Sequence, residues 1–245
     1  MERNVRLGIN IDHVATLRNA RGEIYPKVTE AAMIVEKSGA DLVTVHVRED
    51  RRHINEKDLG EILNVINIPV NLEIGANLEM VNIAIEYKPN CVCFVPENRE
   101  EVTTEGGLDV INNFDKLKKI LKSFSNYNMD IAIFIDPDKE QLIATQKLGV
   151  KTIEFHTGGY AKAFNKKNNV KFELDKLNES ANFAKKLGLN CHAGHGLTYD
   201  NVTSILSISN IVELNIGHFI IANSIFDGLE NSILKMRYLI SEAIK

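Results

Sequence analysis

At 245 residues the chain is long enough to bury a large core, and α/β barrels of this length routinely form one domain, so residues 1–245 are read as a single unit. Its 44% hydrophobic and 25% charged residues are those of an ordinary globular protein, and a net charge of -4 gives no general field for nucleic acid or an anionic membrane. No apolar run approaches the roughly 18 to 20 residues that cross a bilayer, and MERNVRLGIN lacks the basic head and apolar stretch of a signal peptide, so a cytoplasmic protein is expected.

In chain order the first apolar run is VRLGIN (5–10), followed by the long connection DHVATLRNARGEIYP. In ADLVTVHV (40–47), Val43, Val45 and Val47 alternate with Thr44 and His46, which is the period of a strand that points His46 to one face. This strand passes at once into the charged segment from Arg48 to His53. Further runs follow at PVNLEI (69–74), NCVCFVP (90–96), DIAIFID (130–136), KTIEFHT (151–157), LNCHAG (189–194) and IVELNIG (211–217). Between them lie helical spacings such as Leu59, Ile62, Leu63 and Ile66, or Leu229, Ile233, Met236 and Ile240. Asn77 and Asp138 stand where N-caps belong, and Gly39, Gly149 and Gly188 follow helical runs as C′ residues do.

A βα unit repeated about eight times predicts a (β/α)₈ TIM barrel. The competing doubly wound open sheet lacks its best support, because no G-x-G-x-x-G follows the first strand. Cys91, Cys93 and Cys191 all fall inside predicted strands and are expected to be small buried residues rather than disulfide or zinc partners. Extended βα loops follow strands one, four and six, on the face where a barrel carries its chemistry. The loop from Glu97 to Asp109, with Thr103 and Thr104 beside Gly106 and Gly107, is expected to close as a lid over bound substrate.

Polar residues gather where strands end: Asn10, Asp12 and His13; His46 and Arg48; Asn71 and Glu73; Glu97; Asp136; Glu154 and His156; His192 and His195; Asn215 and His218. Six of the 7 histidines fall there, with only His53 farther out, and imidazole and carboxylate are the groups that exchange protons near neutral pH. No lysine occupies a predicted strand end, which disfavours a Schiff-base aldolase. A metal site built on His192 and His195 stays an alternative, although neither H-x-H nor H-E-x-x-H is present. AGHGLT (193–198) and NIGHFI (215–220) each end a strand with a glycine that lets backbone N–H groups approach a phosphate.

The blocks GINIDHVATLRNARG, TVHVREDRRHI, NLEIG, VPENREEVTTEGGLDV, FIDPD, EFHTGGYA, AGHGLTYDNV and ELNIGHFII resemble the pyridoxine 5′-phosphate synthase family, in order and over nearly the whole chain. The resemblance implies a homo-oligomeric barrel, an octamer, that condenses 3-amino-2-oxopropyl phosphate with 1-deoxy-D-xylulose 5-phosphate without metal or organic cofactor. It implies that His46 and Glu73 accept protons and His195 donates one. It implies that Asn10, Arg21, Gly196, Gly217 and His218 hold the amino-ketone phosphate, and that Asp12, His13, Arg48, His53 and Thr103 hold the deoxyxylulose phosphate. The segment from Tyr160 to Phe172 departs from the family pattern in being rich in lysine and asparagine. Two other classes stand beside this reading: a non-catalytic phosphosugar sensor and a metal-dependent hydrolase.

Overall fold

Alternation along each run fixes which side chains meet the helices. The computed structural model describes residues 3–97 and 106–245. Its strands are β1 (Arg6–Asn10), β2 (Leu42–His46), β3 (Val70–Gly75), β4 (Cys91–Val95), β5 (Asp130–Ile135), β6 (Thr152–His156), β7 (Asn190–Gly194) and β8 (Ile211–Ile216). They pair in parallel in sequence order, and β8 pairs with β1 to close the barrel. The (β/α)₈ TIM barrel read from the sequence is therefore the fold, and its strands fall inside the predicted runs, except that β3 continues one residue past its run to Gly75. Thr103 and most of the loop expected to act as a lid lie outside the described residues.

The helices are α1 (Asp12–Asn19), α2 (Val28–Lys37), α3 (Glu56–Val65), α4 (Leu78–Tyr87), α5 (Phe114–Lys122), α6 (Lys139–Lys147), α7 (Gly158–Lys166), α8 (Val170–Lys186), α9 (Val202–Leu206), α10 (His218–Asp227) and α11 (Leu229–Ala243). Asn77 and Asp138 cap α4 and α6 with their side chains. Gly39, Gly149 and Gly188 sit in the left-handed region just past α2, α6 and α8, where a Cβ would be strained. The extensions after β1 and β6 are largely helical, as α1 and α7, and β8 is likewise followed by two helices. Arg18 grips Asp58 with two hydrogen bonds of 2.6 and 2.9 Å, and Asp58 also completes the capping box of α3 with Asn55. That clamp ties α1 to the segment carrying His53.

Outward-facing Ile9, Val43, Val45, Leu72, Ile74, Phe94, Ile133, Phe155 and Leu214 pack against Leu59, Ile62, Met80, Leu117, Leu142, Leu177, Ile233 and Met236 of the helices, forming the main core. The inward face is different. On the β4–β5 side it is apolar, with Cys93, Val95, Ala132 and Phe134 in one small cluster. All three cysteines are free thiols, and burial pushes Cys91 up to about 11 and Cys191 up to about 12.

On the remaining side the lumen is polar, where a barrel of this kind is usually filled by branched aliphatic side chains. Asn215 accepts from Thr44 Oγ1 at 3.0 Å and donates to Glu154 at 2.8 Å and Glu213 at 3.1 Å. To reach Thr44 the amide crosses β1 over Gly8, and to reach Glu154 it crosses β7 beside Gly194. A Cβ on Gly8 would lie 2.1 Å from Asn215 Oδ1, and one on Gly194 would lie 2.2 Å from Glu154 Oε1. His192, expected at the barrel mouth, instead lies within β7 and meets Glu213 Oε1 at 2.9 Å, while Arg6 pairs with the other oxygen at 2.6 Å.

Gly8→Ala should therefore displace Asn215 and lower stability by about 1 to 3 kcal/mol, the usual scale for forced overpacking. Urea denaturation measures this as a lower midpoint; an unchanged midpoint would mean that the amide yields without cost.

Candidate active site

β1, β2 and β3 end side by side, and their register places His46 opposite Glu73. Asn10, the last residue of β1, donates to Asp12 at 2.9 Å and to Glu73 at 3.4 Å. Asp12 opens α1, and its other carboxylate oxygen accepts the backbone N–H of His46 at 2.8 Å. His46 is buried, with Nδ1 3.8 Å from Glu73 Oε2 and Nε2 2.9 Å from Glu97 Oε1. Arg48 is buried two residues farther on, and the His53 ring lies 5.8 Å from that of His46. Burial, then the charges of Glu154 and Asp12, push the Glu73 carboxyl well above the usual carboxylate range. Burial also lowers His53, against the attraction of Asp12, and its Nδ1 has no hydrogen-bond partner among the described residues.

A second group closes the ring of strand ends. His195 follows β7 in the left-handed region at φ 81°, a strained setting of the kind found at functional sites, and Gly196 continues it at φ 79°. A Cβ at Gly196 would come within 2.6 Å of Ala161, so this glycine allows α7 to approach. The His195 ring stands 5.0 Å from His156, whose Nδ1 meets Asp136 at 2.9 Å. Burial, then His156 and His218, take the His195 imidazole down to about 4. Gly217 ends the last strand connection where a Cβ would lie 2.9 Å from that of Asn10, and His218 follows it at the start of α10. His218 meets His13 edge to face at 4.9 Å. A cavity of about 380 Å³ opens here, lined by His156, His195, Gly158, Lys162 and Lys176.

Of the residues expected at the site, Asn10, Asp12, His46, His53 and Glu73 are brought within direct contact. His13, His195, Gly196, Gly217 and His218 form the adjoining arc. Arg21 lies exposed in the turn after α1, with no hydrogen bond or ion pair to its side chain among the described residues. Asp12, His46 and His53 offer donor atoms within 4.8 Å of one another, a spacing that suits a metal ion. Two of these three already hold other partners, since Asp12 caps the His46 N–H and His46 Nε2 meets Glu97.

Several groups were named at strand ends without a role, among them Glu97, Glu154 and the pair Asp136 and His156. Glu97 holds His46. Glu154 stands inside the barrel, where burial and the charge of Glu213 push it up to about 8 against the hydrogen bond from Asn215. Its signal in the sequence is a carboxylate alternating with Ile153 and Phe155 in an otherwise apolar strand.

The model of the family described as pyridoxal phosphate biosynthesis protein PdxJ matches residues 7–242. The pyridoxine 5′-phosphate synthase of Zymomonas mobilis is 48% identical over 99% of this chain and 94% of its own. That of a Sulfurihydrogenibium species is 49% identical over 98% of this chain and 100% of its own. Among solved structures, KGPDC of Streptococcus mutans superposes with a TM-score of 0.66 over 100% of both chains at 10% identity, and thiamine phosphate pyrophosphorylase of Pyrococcus furiosus with 0.63 over 98% of both at 12%. These two likenesses concern the fold alone.

The buried groups give stability a pH dependence with a definite sign. Folded Glu154 keeps its proton up to about 8, whereas an unfolded glutamate releases it near 4.3, so stability falls as pH rises between those values. His195 acts oppositely, adding stability as pH rises from about 4 to its ordinary 6.5 and nothing further above that. The melting temperature should therefore fall between pH 6.5 and 8, with Glu154 contributing up to about 1.4 kcal/mol per pH unit. Glu154→Gln should flatten that fall; an identical slope in the variant would mean that Glu154 is ionised in the folded protein.

Proposed function

The chain belongs to the pyridoxal phosphate biosynthesis protein PdxJ family, and on that premise we propose that its barrel mouth condenses 3-amino-2-oxopropyl phosphate with 1-deoxy-D-xylulose 5-phosphate. The products are pyridoxine 5′-phosphate, inorganic phosphate and water. The protein is an enzyme of vitamin B6 biosynthesis. The observation that carries the finer reading is the half-buried Glu73 carboxyl facing His46 Nδ1 at 3.8 Å across neighbouring strand ends. Imine formation, dehydration and ring closure consist of repeated proton transfers, and the required amine comes from a substrate rather than from a lysine. In this reading His46 and Glu73 accept protons. A carboxyl displaced upward by burial is a stronger base, once ionised, than an exposed one.

His195 is the proton donor of this scheme, and its low pKa in the ligand-free site means that it first needs a negative charge nearby. A substrate phosphate seated against Gly196, Gly217 and His218 supplies that charge, with Asn10 beside it and Arg21 closing from the rim. Asp12, His13, Arg48, His53 and Thr103 receive the second phosphate; Thr103 enters on the family resemblance alone. Lys162 and Lys176 on the wall of the adjoining cavity add positive charge where two anions must approach.

The whole chain acts as one barrel domain in this proposal, works in the cytoplasm and assembles as a homo-oligomer, an octamer by resemblance. No helix among the described residues is long and apolar enough to cross a membrane. Phe226 is 86% exposed, Ile24 is 78% exposed, and Leu17, Tyr25 and Ile225 are also largely bare, which suits burial against further subunits.

Formation of pyridoxine 5′-phosphate from the two purified substrates tests the reading directly. Binding of both without product would favour a phosphosugar sensor, and activity abolished by chelator would favour metal-dependent chemistry. His46→Ala and Glu73→Ala should each retain the fold by circular dichroism and lower turnover at least about a hundredfold, the scale of a lost acid–base group. Near-normal turnover in either would reassign that residue to structure. Arg21→Lys should raise the KM for the amino-ketone phosphate with little change in melting temperature, because lysine lacks the two-pronged grip of guanidinium. An unchanged KM with a lowered melting temperature would show that Arg21 serves the fold instead.

A further inference from the structure

We propose that Glu97 is a positioning residue that locks His46 in the tautomer with its proton on Nε2, so that Nδ1 is the nitrogen that takes up the substrate proton. Glu97 lies two residues beyond β4, and its carboxylate is surrounded by donors. Oε1 accepts the backbone N–H of Gly75 at 2.9 Å, and Oε2 accepts that of Glu49 at 3.0 Å. Burial opposes ionisation of this carboxyl, but these contacts together with His46 and the nearby charge of Arg48 hold it below the usual carboxylate range. An ionised carboxylate only accepts hydrogen bonds, so the His46 Nε2 at 2.9 Å must be the donor. In either charge state of the ring, Nε2 keeps its proton and Nδ1 is the atom that exchanges one.

The approach is built into the backbone. A Cβ at Gly75 would sit 3.1 Å from the Glu97 carboxyl, so glycine at the end of β3 lets the carboxylate come down onto that N–H while it faces His46. The ring is then oriented from several elements. Asp12 of α1 holds the His46 backbone N–H, Glu73 of β3 faces Nδ1 at 3.8 Å, and His53 lies beside the ring with Arg48 nearby. When Nδ1 accepts a proton from the substrate, the ring becomes a cation, and the Glu97 charge opposite Nε2 stabilises it without itself gaining a proton. The arrangement follows the logic of a histidine whose far nitrogen is fixed by a carboxylate.

The inference rests on the reading of His46 as a proton acceptor, and its test separates the two. Solid-state ¹⁵N spectra of histidine-labelled protein, with His46 assigned by difference against His46→Gln, report the tautomer of the neutral ring in the wild-type enzyme. Protonated Nε2 with bare Nδ1 is expected; the reverse overturns the proposal, whatever the activity. Glu97→Gln should then populate the other tautomer and lower kcat at least about tenfold, while both KM values stay within about threefold. An unchanged kcat, or a lowered kcat with the tautomer intact, overturns the positioning role. Absence of product formation by the wild-type enzyme, with the expected tautomer present, would instead remove the catalytic reading and leave the Glu97 geometry standing.

Discussion

The polar half of the barrel depends on one amide. Asn215 presents an acceptor to Thr44 and a donor to Glu154 and Glu213, a combination that no charged side chain and no simple hydroxyl of similar reach supplies. Polar groups buried without partners cost several kcal/mol, so the lumen tolerates its carboxyls only because this link is complete. Gly8 and Gly194 are its geometric condition, since side chains on either strand would occupy the path of the amide or of Glu154.

With the link in place, four carboxyls in one barrel adopt different states. Glu213 lies against Arg6 and His192 and is held below the ordinary carboxylate range in spite of its burial. Glu154, with only a neutral amide beside it and the Glu213 charge in view, keeps its proton near neutrality. Among the described residues Glu73 has no cation paired closely enough to offset its desolvation, and it is displaced the same way. Glu97, ringed by N–H donors, is ionised. Residues of one chemical type are thus divided into proton carriers and fixed charges by their surroundings, which is how one fold conducts acid and base steps at a single pH.

The opposite arc works with imidazoles. His13, His156, His195 and His218 stand within ring contact of one another in two pairs, and each additional ring makes a positive charge on its neighbour less favourable. His13 and His195, both lowered, are suited to gaining protons when an anion enters, so substrate binding and the readiness of the acid are coupled through charge.

Much of this was legible in the sequence because period and punctuation are local. Alternation of Val43, Val45 and Val47 with Thr44 and His46 fixed the face of β2, and caps such as Asn77 and Asp138 fixed where helices begin. Strand ends also located the histidines and carboxylates of the mouth, with His192 and Glu154 the exceptions, because a position within a strand decides whether a side chain reaches the rim or the lumen. Only closure of the barrel decided the partners. Glu97 meets His46 across an intervening strand, and Asn215 meets Thr44 over Gly8, contacts between residues 51 and 171 positions apart in the chain. No local pattern encodes such pairs. The states of Glu73 and Glu154 follow from burial and neighbouring charge, which exist only once the eight strands have enclosed them, so the sequence determined which groups the mouth holds and the tertiary structure decided what each can do.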